Sequence, residues 1–490
     1  MGRLGILATK PVAKLLAECG DNPLRPTLGV TALTALGVGG IIGTGIFVLL
    51  GVTAAQNAGP AVIISLVIAA FGCAFAALCY AEFAAMVPVS GSAYAYTYAT
   101  LGEFVAWFVG WNLVLEYMFA VATVSVGWSR YFVKLLEHFG VSVLPSALSA
   151  APFDFAPHGV GLVTTGAIVN LPAVAIVALV TTICYRGIRQ SSVFNGFIVA
   201  AKIIVILLVI GFGVFYVDPD NWKPFVPENT GVRGQYGASG VLLASGVIFF
   251  AFIGFDAVST AAQEAKNPGR DMPVAIIASL LICTVLYVLM SGVLTGMVPY
   301  PQLNDAAPVA VALMAHEGLR WLVPWVIVGA IAGMTSVMLV MTLAQARIFL
   351  SMSRDGLVPP ALGRVHPRFQ TPHVATLVTG GCAAAIGGLF PIVVLGAMVS
   401  IGTLVAFIVV CVGVLILRRT RPEVPRPFRV PAIRLVAPLG IAFCALMAAS
   451  LPGGTWWRLI IWTAIGVVIY FAYGYRNSAL RRRAQESSAP

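Results

Sequence analysis

GGIIGTGIF at 39–47 and IFFAFIGFDA at 248–257 are two glycine-containing stretches, and each interrupts an apolar run long enough to cross a bilayer. An intact helix satisfies its own backbone groups, so a helix that is broken at membrane depth must line a cavity. One break alone would fit a helix kink or a glycine contact between helices. Two breaks, five apolar segments apart and each beside polar residues, favour a ligand site built from unwound backbone.

The composition indicates a polytopic membrane protein. Of the 490 residues, 59% are hydrophobic and 10% are charged, whereas soluble domains carry about 25% charged residues. A helix that crosses the ~30 Å hydrocarbon layer needs about 20 apolar residues. We therefore predict an all-α membrane protein with twelve spans, near residues 30–52, 61–87, 104–133, 165–185, 193–217, 238–263, 273–298, 321–351, 374–392, 396–417, 434–451 and 456–474.

Basic residues are distributed unevenly between alternate loops. If the N-terminus is cytoplasmic, 22 of the 29 lysines and arginines lie in cytoplasmic segments, six lie outside and Lys202 lies within a span. The inner residues include Arg3, Lys14, Arg25 and Arg189. The positive-inside rule then places both termini in the cytoplasm. The net charge of +11 reflects this bias together with affinity for anionic lipid head groups, and it requires no nucleic-acid partner.

Motifs of other functional classes are missing from the sequence. The eight cysteines form no CxxC pair and the five histidines form no helical HxxxH pair, so we predict no metal site. No GxxxxGK phosphate loop is present, which argues against ATP as the direct energy source. We also predict no enzyme activity and no cofactor. The loops 134–164 and 218–237 are expected to be caps or lids at most, and the basic tail after Tyr475 is expected to be disordered.

Three ionisable residues lie inside predicted spans: Glu116, Lys202 and Asp256. A charge at the bilayer centre costs about 2.5–3.5 kcal/mol, so such residues usually face a cavity or a partner. Glu116 either faces the cavity, which we favour, or meets a basic partner. Asp256 either neutralises a ligand ammonium or caps the resumed half-helix. Lys202 lies ~13 Å into its span, and it either exchanges a proton during function or stays charged and holds helices together.

The two breaks offer complementary chemical groups. The glycines between 39 and 45 let backbone amides approach a ligand, and the half-helix that resumes after Thr44 points its positive dipole end at the break, which suits a carboxylate. The second break offers carbonyl oxygens and Asp256, which suit an ammonium group. Together they predict a site for a zwitterion, and hence an amino acid ligand. The nearby aromatic residues either cover this site or serve ordinary packing; they are Phe249, Phe250, Phe252 and Phe255.

Four longer stretches resemble a known family. They are GVGGIIGTGIF at 37–47, YAEFAAMVPVSGSAYAYTYATLGEFVAWFVGWNLVLEY at 80–117, FFAFIGFDAVSTAAQEAKNPGRDMP at 249–273 and GAIAGMTSVMLVMTLAQARIFLSMSRDGLVP at 329–359. Over about residues 25–475, the chain resembles the amino acid–polyamine–organocation (APC) superfamily. Within it, the sequence is most similar to the cationic amino acid transporter family and its bacterial amino acid permease relatives.

This resemblance implies a particular membrane fold, the LeuT-like or APC fold. It comprises twelve transmembrane helices, with helices 1 and 6 unwound at a central site, in a five-plus-five inverted repeat. The implied organisation of the chain is a cytoplasmic N-terminal segment at 1–29, a first repeat at 30–217, an inverted second repeat at 238–417, two peripheral helices at 434–474 and a cytoplasmic basic tail at 475–490.

The resemblance also implies a function, which is secondary active import of L-amino acids across the bacterial cytoplasmic (inner) membrane by alternating access and proton symport. Sodium-coupled relatives hold a cation where Lys202 lies here, which favours proton coupling by Lys202 with the hydroxyls of Thr335 and Ser336 and the Gly40 backbone. The alternative is that those hydroxyls bond the carbonyl four residues back. The alternative function is an exchanger without proton coupling. The implied partners are an L-amino acid, protons and membrane lipids, and a small membrane subunit is left open.

Substrate selectivity is expected to depend on Met341. Animal members selective for arginine and lysine carry a smaller residue at the matching position, so Met341 would shorten the side-chain pocket. We therefore expect neutral L-amino acids of small or medium size, with tolerance of cationic ones. The predicted substrate-binding residues are Ile41, Ile42, Gly43, Thr44, Gly45, Glu116, Phe250, Ala251, Phe252, Ile253, Phe255, Asp256 and Met341.

Overall fold

The computed structural model describes residues 5–11, 15, 27–89, 91–141, 145–155, 162–187 and 192–486. Most of the predicted N-terminal segment 1–29 and the last residues of the predicted tail 475–490 lie outside these ranges. Four basic residues used for the predicted orientation also lie outside them, namely Arg3, Lys14, Arg25 and Arg189.

Helices make up most of the described chain. The α-helices are α1 (Val30–Ile41), α2 (Leu50–Thr53), α3 (Val62–Met86), α4 (Ser92–Thr100), α5 (Glu103–His138), α6 (Leu171–Arg186), α7 (Ser192–Gly213), α8 (Gly237–Ile248), α9 (Phe255–Ser259), α10 (Pro268–Met297), α11 (Pro308–Met314), α12 (Val323–Arg354), α13 (His373–Leu389), α14 (Ile392–Thr420), α15 (Ile433–Ser450), α16 (Gly453–Ile469), α17 (Tyr475–Asn477) and α18 (Ala479–Glu486). Three π-helical turns lie at Gly45–Leu49, Ala54–Ala58 and Tyr470–Gly474.

Short 3₁₀ turns connect or extend these helices. They lie at Gly59–Ala61, Ser146–Leu148, Val214–Tyr216, Pro219–Trp222, Phe249–Phe252, Ala262–Glu264, Tyr300–Leu303, Glu317–Leu322 and Pro360–Gly363. Two strands, β1 (Phe153–Phe155) and β2 (Leu162–Thr164), pair antiparallel with Asp154 opposite Val163. The sequence predicts no strands in this loop, because a three-residue strand is too short to leave an alternating pattern.

The apolar segments predicted from the sequence are helical. Within the described ranges, nine helical stretches are long and apolar enough to cross a membrane. Three further apolar helices, α1, α6 and α13, are shorter, with 12, 16 and 17 residues. Every predicted span overlaps one of these stretches. The prediction of a multi-pass helical membrane protein is therefore confirmed.

Both glycine stretches interrupt their helices. Helix α1 ends at Ile41, Ile42 is extended with φ −73° and ψ 104°, and the chain resumes a helical path at Gly45. We name residues 42–44 the first interruption. On the second segment, Ile253 is extended and Gly254 has φ +127° before α9 begins at Phe255. We name residues 253–254 the second interruption.

The two interrupted segments lie against each other with no room for side chains between them. A Cβ atom added to Gly254 would lie 2.7 Å from the carbonyl carbon of Gly40. A Cβ atom added to Gly45 would lie 2.5 Å from the Cα atom of Ala251. Such close backbone contact between membrane helices requires small residues. The glycines therefore bring both breaks to one place in the molecule.

The tail after Tyr475 is ordered as far as Glu486, contrary to the prediction of disorder. Helices α17 and α18 pack against the N-terminal end of α5, where the fully buried carboxylate of Glu103 accepts hydrogen bonds from Tyr470 at 2.9 Å, from Arg481 at 3.1 Å and from Ser478. The polar composition of the tail suggested disorder. Its polar groups instead satisfy one buried charge, which a charge average along the sequence does not reveal.

Candidate functional site

A small cavity lies between the two interrupted segments. Its walls also include residues from α5 and α12, and it is lined by Gly40, Ile41, Gly43, Thr44, Gly45, Ala120, Val124, Phe250, Ile253, Val337 and Met341. Its volume is about 10 Å³, which is room for about one water molecule. The site is therefore closed around its centre, and a larger ligand requires its walls to move apart.

Polar groups of the first interruption lie beside this cavity. Thr44 is buried, and among the described residues its hydroxyl has no hydrogen-bond partner. The N–H of Phe47 binds the Gly43 carbonyl at 3.3 Å, but the amides before it, at the start of the resumed helix, have no helical carbonyl one turn earlier to bind. The positive end of the helix dipole lies at the same place. A hydroxyl and free amides together form a site suited to a carboxylate.

Lys202 ties the end of α1 to α12. Its side chain is 1% exposed, and its Nζ donates to the carbonyl oxygens of Gly39 at 2.7 Å and Ile42 at 3.0 Å and to the Ser336 hydroxyl at 3.1 Å. These acceptors belong to the first broken segment and to α12, and Lys202 itself lies on α7. The ammonium group therefore holds the first interruption in place.

Two of the predicted coupling groups lie elsewhere. The carbonyl bound by Lys202 belongs to Gly39, one residue before the predicted Gly40. The Thr335 hydroxyl donates to the Ile331 carbonyl at 2.8 Å and accepts from Trp128 Nε1 at 3.1 Å. Thr335 thus makes the bond to the preceding turn that the sequence left as an alternative, while Ser336 is the hydroxyl that meets Lys202.

Two tyrosines stabilise the first broken segment, and the sequence analysis missed both. The Tyr287 hydroxyl donates to the Ile41 carbonyl at 3.0 Å, and the Tyr131 hydroxyl donates to the Phe47 carbonyl at 2.8 Å. A buried tyrosine hydroxyl usually needs a hydrogen-bond partner. A tyrosine inside an apolar span was therefore a usable signal, although it does not name the carbonyl.

The Asp256 carboxylate accepts hydrogen bonds from groups in and beside the second interruption. Its Oδ1 accepts the N–H of Gly254 at 3.1 Å, and its Oδ2 accepts the hydroxyl of Tyr117 at 2.5 Å. Asp256 is fully buried and is not among the residues that line the cavity. Its contacts in this conformation match the capping alternative, because the carboxylate serves backbone and side-chain donors at the start of α9.

Glu116 is buried beside Asp256 and does not line the cavity. Its side chain is 0% exposed, and neither carboxylate oxygen has a hydrogen-bond partner within the described part of the chain. Asp256 and Thr403 are its polar neighbours. No basic side chain meets it among the described residues.

The cavity brings together about half of the predicted binding residues. Ile41, Gly43, Thr44, Gly45, Phe250, Ile253 and Met341 line it. The other predicted residues contact neighbouring groups instead: Ile42 binds Lys202, Ala251 meets Gly45, Phe252 packs on Tyr287, and Phe255 packs on Tyr80 and Phe407. Three lining residues were missed: Ala120, Val124 and Val337.

The chain was compared with known proteins. Residues 28–471 match the family model described as amino acid permease. The chain belongs to the amino acid permease family, within the APC superfamily. This confirms the resemblance found in the sequence.

Several relatives of this permease are similar over most of its length. The branched-chain amino acid permease BcaP of Bacillus subtilis (strain 168) is 47% identical over 469 residues, which cover 96% of this chain and 97% of that protein. The methylthioribose transporter of the same strain is 46% identical over 475 residues, covering 96% and 98%. Cationic amino acid transporter 4 of Mus musculus is 37% identical over 405 residues, covering 83% and 62%. All three relatives are permeases or transporters.

Proposed function

We propose that this permease imports neutral L-amino acids with apolar side chains across the bacterial cytoplasmic membrane, by alternating access coupled to proton symport. The observation that carries the proposal is the contact of the Lys202 ammonium with the carbonyls of Gly39 and Ile42. It joins an ionisable group directly to the unwound backbone beside the cavity. A proton on Lys202 and a ligand in the cavity then act on the same few residues.

The proposed architecture is twelve transmembrane helices in a five-plus-five inverted repeat, residues 30–217 and 238–417, followed by two peripheral helices at 434–474. Both termini are cytoplasmic in this arrangement. It is supported by the two interruptions, which lie in the first and sixth apolar segments and meet at Gly40 and Gly254. Paired breaks in corresponding segments are typical of the binding site in transporters with inverted repeats.

In the proposed binding mode, the two interruptions hold the charged ends of the substrate. The substrate carboxylate binds the Thr44 hydroxyl and the amides that follow it, and the ammonium binds carbonyl oxygens at the second interruption. The side chain then faces Val124, Val337 and Met341, which are apolar. Because Glu116 and Asp256 do not line the cavity, a cationic side chain would find no counter-charge there, which favours neutral substrates.

The proposed coupling follows from the hydrogen bonds of Lys202. A protonated amine donates all three N–H bonds, to Gly39, Ile42 and Ser336. Loss of the proton removes one donor and the positive charge, and hydrogen bonds from a charged donor are roughly twice as strong as neutral ones. The end of α1 is then held less firmly against α12. Proton release therefore frees the segment that must move when the site opens.

Lys202→Ala tests this coupling. In proteoliposomes, the variant is expected to lose leucine accumulation driven by a pH gradient while it retains leucine counterflow, because counterflow needs the binding site but no proton. Lys223→Ala is the matched control, since this lysine is exposed on an outer loop. An unchanged pH dependence of uptake in Lys202→Ala would refute the coupling role.

Two further outcomes separate the proposal from its alternatives. Leucine uptake that a protonophore leaves unaffected would favour the exchanger. A thermal-shift screen of the purified protein against all L-amino acids and methylthioribose addresses the substrate, because a bound ligand raises apparent stability. Methylthioribose belongs in the screen because a relative of equal similarity is named for it, and stabilisation by it alone would overturn the amino acid assignment.

A further inference from the structure

A second and much larger cavity lies next to the central one. Its volume is about 510 Å³, within the range of about 300–1,000 Å³ that is typical of small-molecule sites. We name it the vestibule. Its polar lining consists of Gln56, Arg130, Lys134, Glu137, Ser149, Asn304 and Asp305.

The vestibule carries separated opposite charges. Arg130 and Asp305 both line it and influence each other electrostatically, yet within the described residues Arg130 forms no ion pair at 4.0 Å or less. Lys134 is instead paired with Glu137 at 3.3 Å. An arginine and an aspartate that face one cavity without meeting leave a gap that a zwitterion can bridge.

The vestibule and the central cavity share two walls. The first broken segment lines the central cavity at Gly45 and the vestibule at Gln56. Helix α5 lines the central cavity at Val124 and the vestibule at Arg130, which is ~9 Å further along the helix axis. Phe47 lies between Gly45 and Gln56 along the first broken segment, and Tyr131 directly follows Arg130 on α5.

Phe47 and Tyr131 are joined by two contacts. Their rings pack edge-to-face at 6.2 Å, and the Tyr131 hydroxyl donates to the Phe47 carbonyl at 2.8 Å. The pair therefore links the first broken segment to α5 next to Arg130, which lines the vestibule.

We propose that the vestibule is an entrance site that binds an amino acid before the central site takes it up. The Arg130 guanidinium binds the substrate carboxylate with parallel N–H donors, a geometry that favours arginine. Asp305 binds the substrate ammonium. The proposal rests on the proposed function, because it takes the same substrate class. It adds a second binding site, with Arg130 as its anion-binding residue.

Binding stoichiometry tests the entrance site. Equilibrium dialysis of the purified full-length permease with radiolabelled L-leucine, taken to saturation, is expected to give two molecules per wild-type chain. Arg130→Gln is expected to give one molecule per chain. Arg130→Lys is expected to retain two, with weaker affinity at one site, because lysine keeps the charge but lacks the parallel N–H donors of the guanidinium group. Arg233→Gln is the matched control; it removes an exposed arginine that does not line the vestibule and is expected to keep two.

A variant of the central site separates this proposal from the proposed function. A Cβ atom at Gly43 would lie 2.8 Å from Val337 Cγ2, so Gly43→Val fills the central cavity and is expected to retain one leucine, in the vestibule. If the wild-type chain binds one leucine and Gly43→Val binds none, the entrance site is overturned and the proposed function is left intact. Two leucines retained by Arg130→Gln would also overturn it. A permease that binds no leucine overturns the proposed substrate class and the entrance site together.

Discussion

Met341 shows how one side chain limits the space for a substrate. It lies on α12 one turn after Val337, and both residues line the central cavity opposite the first interruption. The cavity has a volume of only about 10 Å³. Since each buried methylene group contributes about 0.8 kcal/mol, we expect the length of this residue to influence which ligand side chains the closed site accepts.

Met341→Ser is expected to broaden the substrate range towards longer side chains. Excess arginine or phenylalanine should compete about tenfold better with radiolabelled leucine uptake, which corresponds to about 1.4 kcal/mol. Met314→Ser is the control, since Met314 is 56% exposed on α11. An unchanged competition profile would remove Met341 from the side-chain pocket.

The residues of the site differ in how far the sequence could reveal them. Lys202 and Thr44 were predictable because a buried amine or hydroxyl in an apolar span needs a reason to be there. Ala120, Val124 and Val337 were not, because their composition is that of ordinary helix packing. The surroundings of Glu116 were not predictable either. They depend on how α3, α9 and α14 pack against the side of α5 that carries this residue.

At the scale of helical elements, the second interruption depends on one glycine. Gly254 has φ +127°, a conformation that costs a residue with a side chain roughly 1–3 kcal/mol. Its Cα also lies against the backbone of Gly40. Gly254→Ala is therefore expected to push the two broken segments apart and to abolish leucine binding in the thermal-shift assay.

Gly381→Ala is the matched control for this change. Gly381 lies on α13, and nothing is within 4 Å of the position that its Cβ would take. The control variant should bind leucine as the wild type does. Normal binding by Gly254→Ala would show that the second interruption does not need this backbone geometry.

The elements themselves were predictable where one physical requirement dominates. The spans are predictable from the length of the apolar segments, and the interruptions are predictable from the glycines within two of these segments. Helix α4 was not predicted, although Ser92–Thr100 is almost entirely buried, because its serines, threonines and tyrosines dilute the apolar signal. Helix α18 depends on Glu103, which lies far away in the sequence. Contacts between distant segments decide such elements.

Ion pairs join distant segments of the molecule near the arginine-rich loops. Arg347 forms an ion pair with Glu264 and also donates to Thr260, so α12 is tied to the end of the second broken segment. Glu82 is bound by Arg418 and Arg426, and Lys10 is bound to Asp355 at 2.7 Å. The vestibule, at about 510 Å³, lies beyond the other end of the central cavity. We expect a ligand to reach the central cavity from the vestibule side.

If the Arg347–Glu264 pair holds the inner side closed, its loss should favour the inward-open state. A partly exposed ion pair contributes roughly 1 kcal/mol, which is about a fivefold change in a two-state equilibrium. Ala344 is buried on α12 between Met341 and Arg347, so a cysteine placed there should react only when that side opens. Glu264→Gln is expected to raise labelling of Ala344→Cys by a membrane-impermeant maleimide about fivefold in inside-out vesicles.

The labelling is measured in a chain whose eight native cysteines are replaced. Glu228→Gln is the control, because this exposed outer-loop carboxylate has no part in the inner closure, and its labelling rate should match that of the unaltered chain. An equal rate in Glu264→Gln would mean that other contacts hold the inner side closed, with Lys10–Asp355 the next to test. Labelling that occurs only in right-side-out vesicles would instead reverse the orientation that the basic loops predict. The reason is that the maleimide reaches Ala344→Cys only from the side that opens.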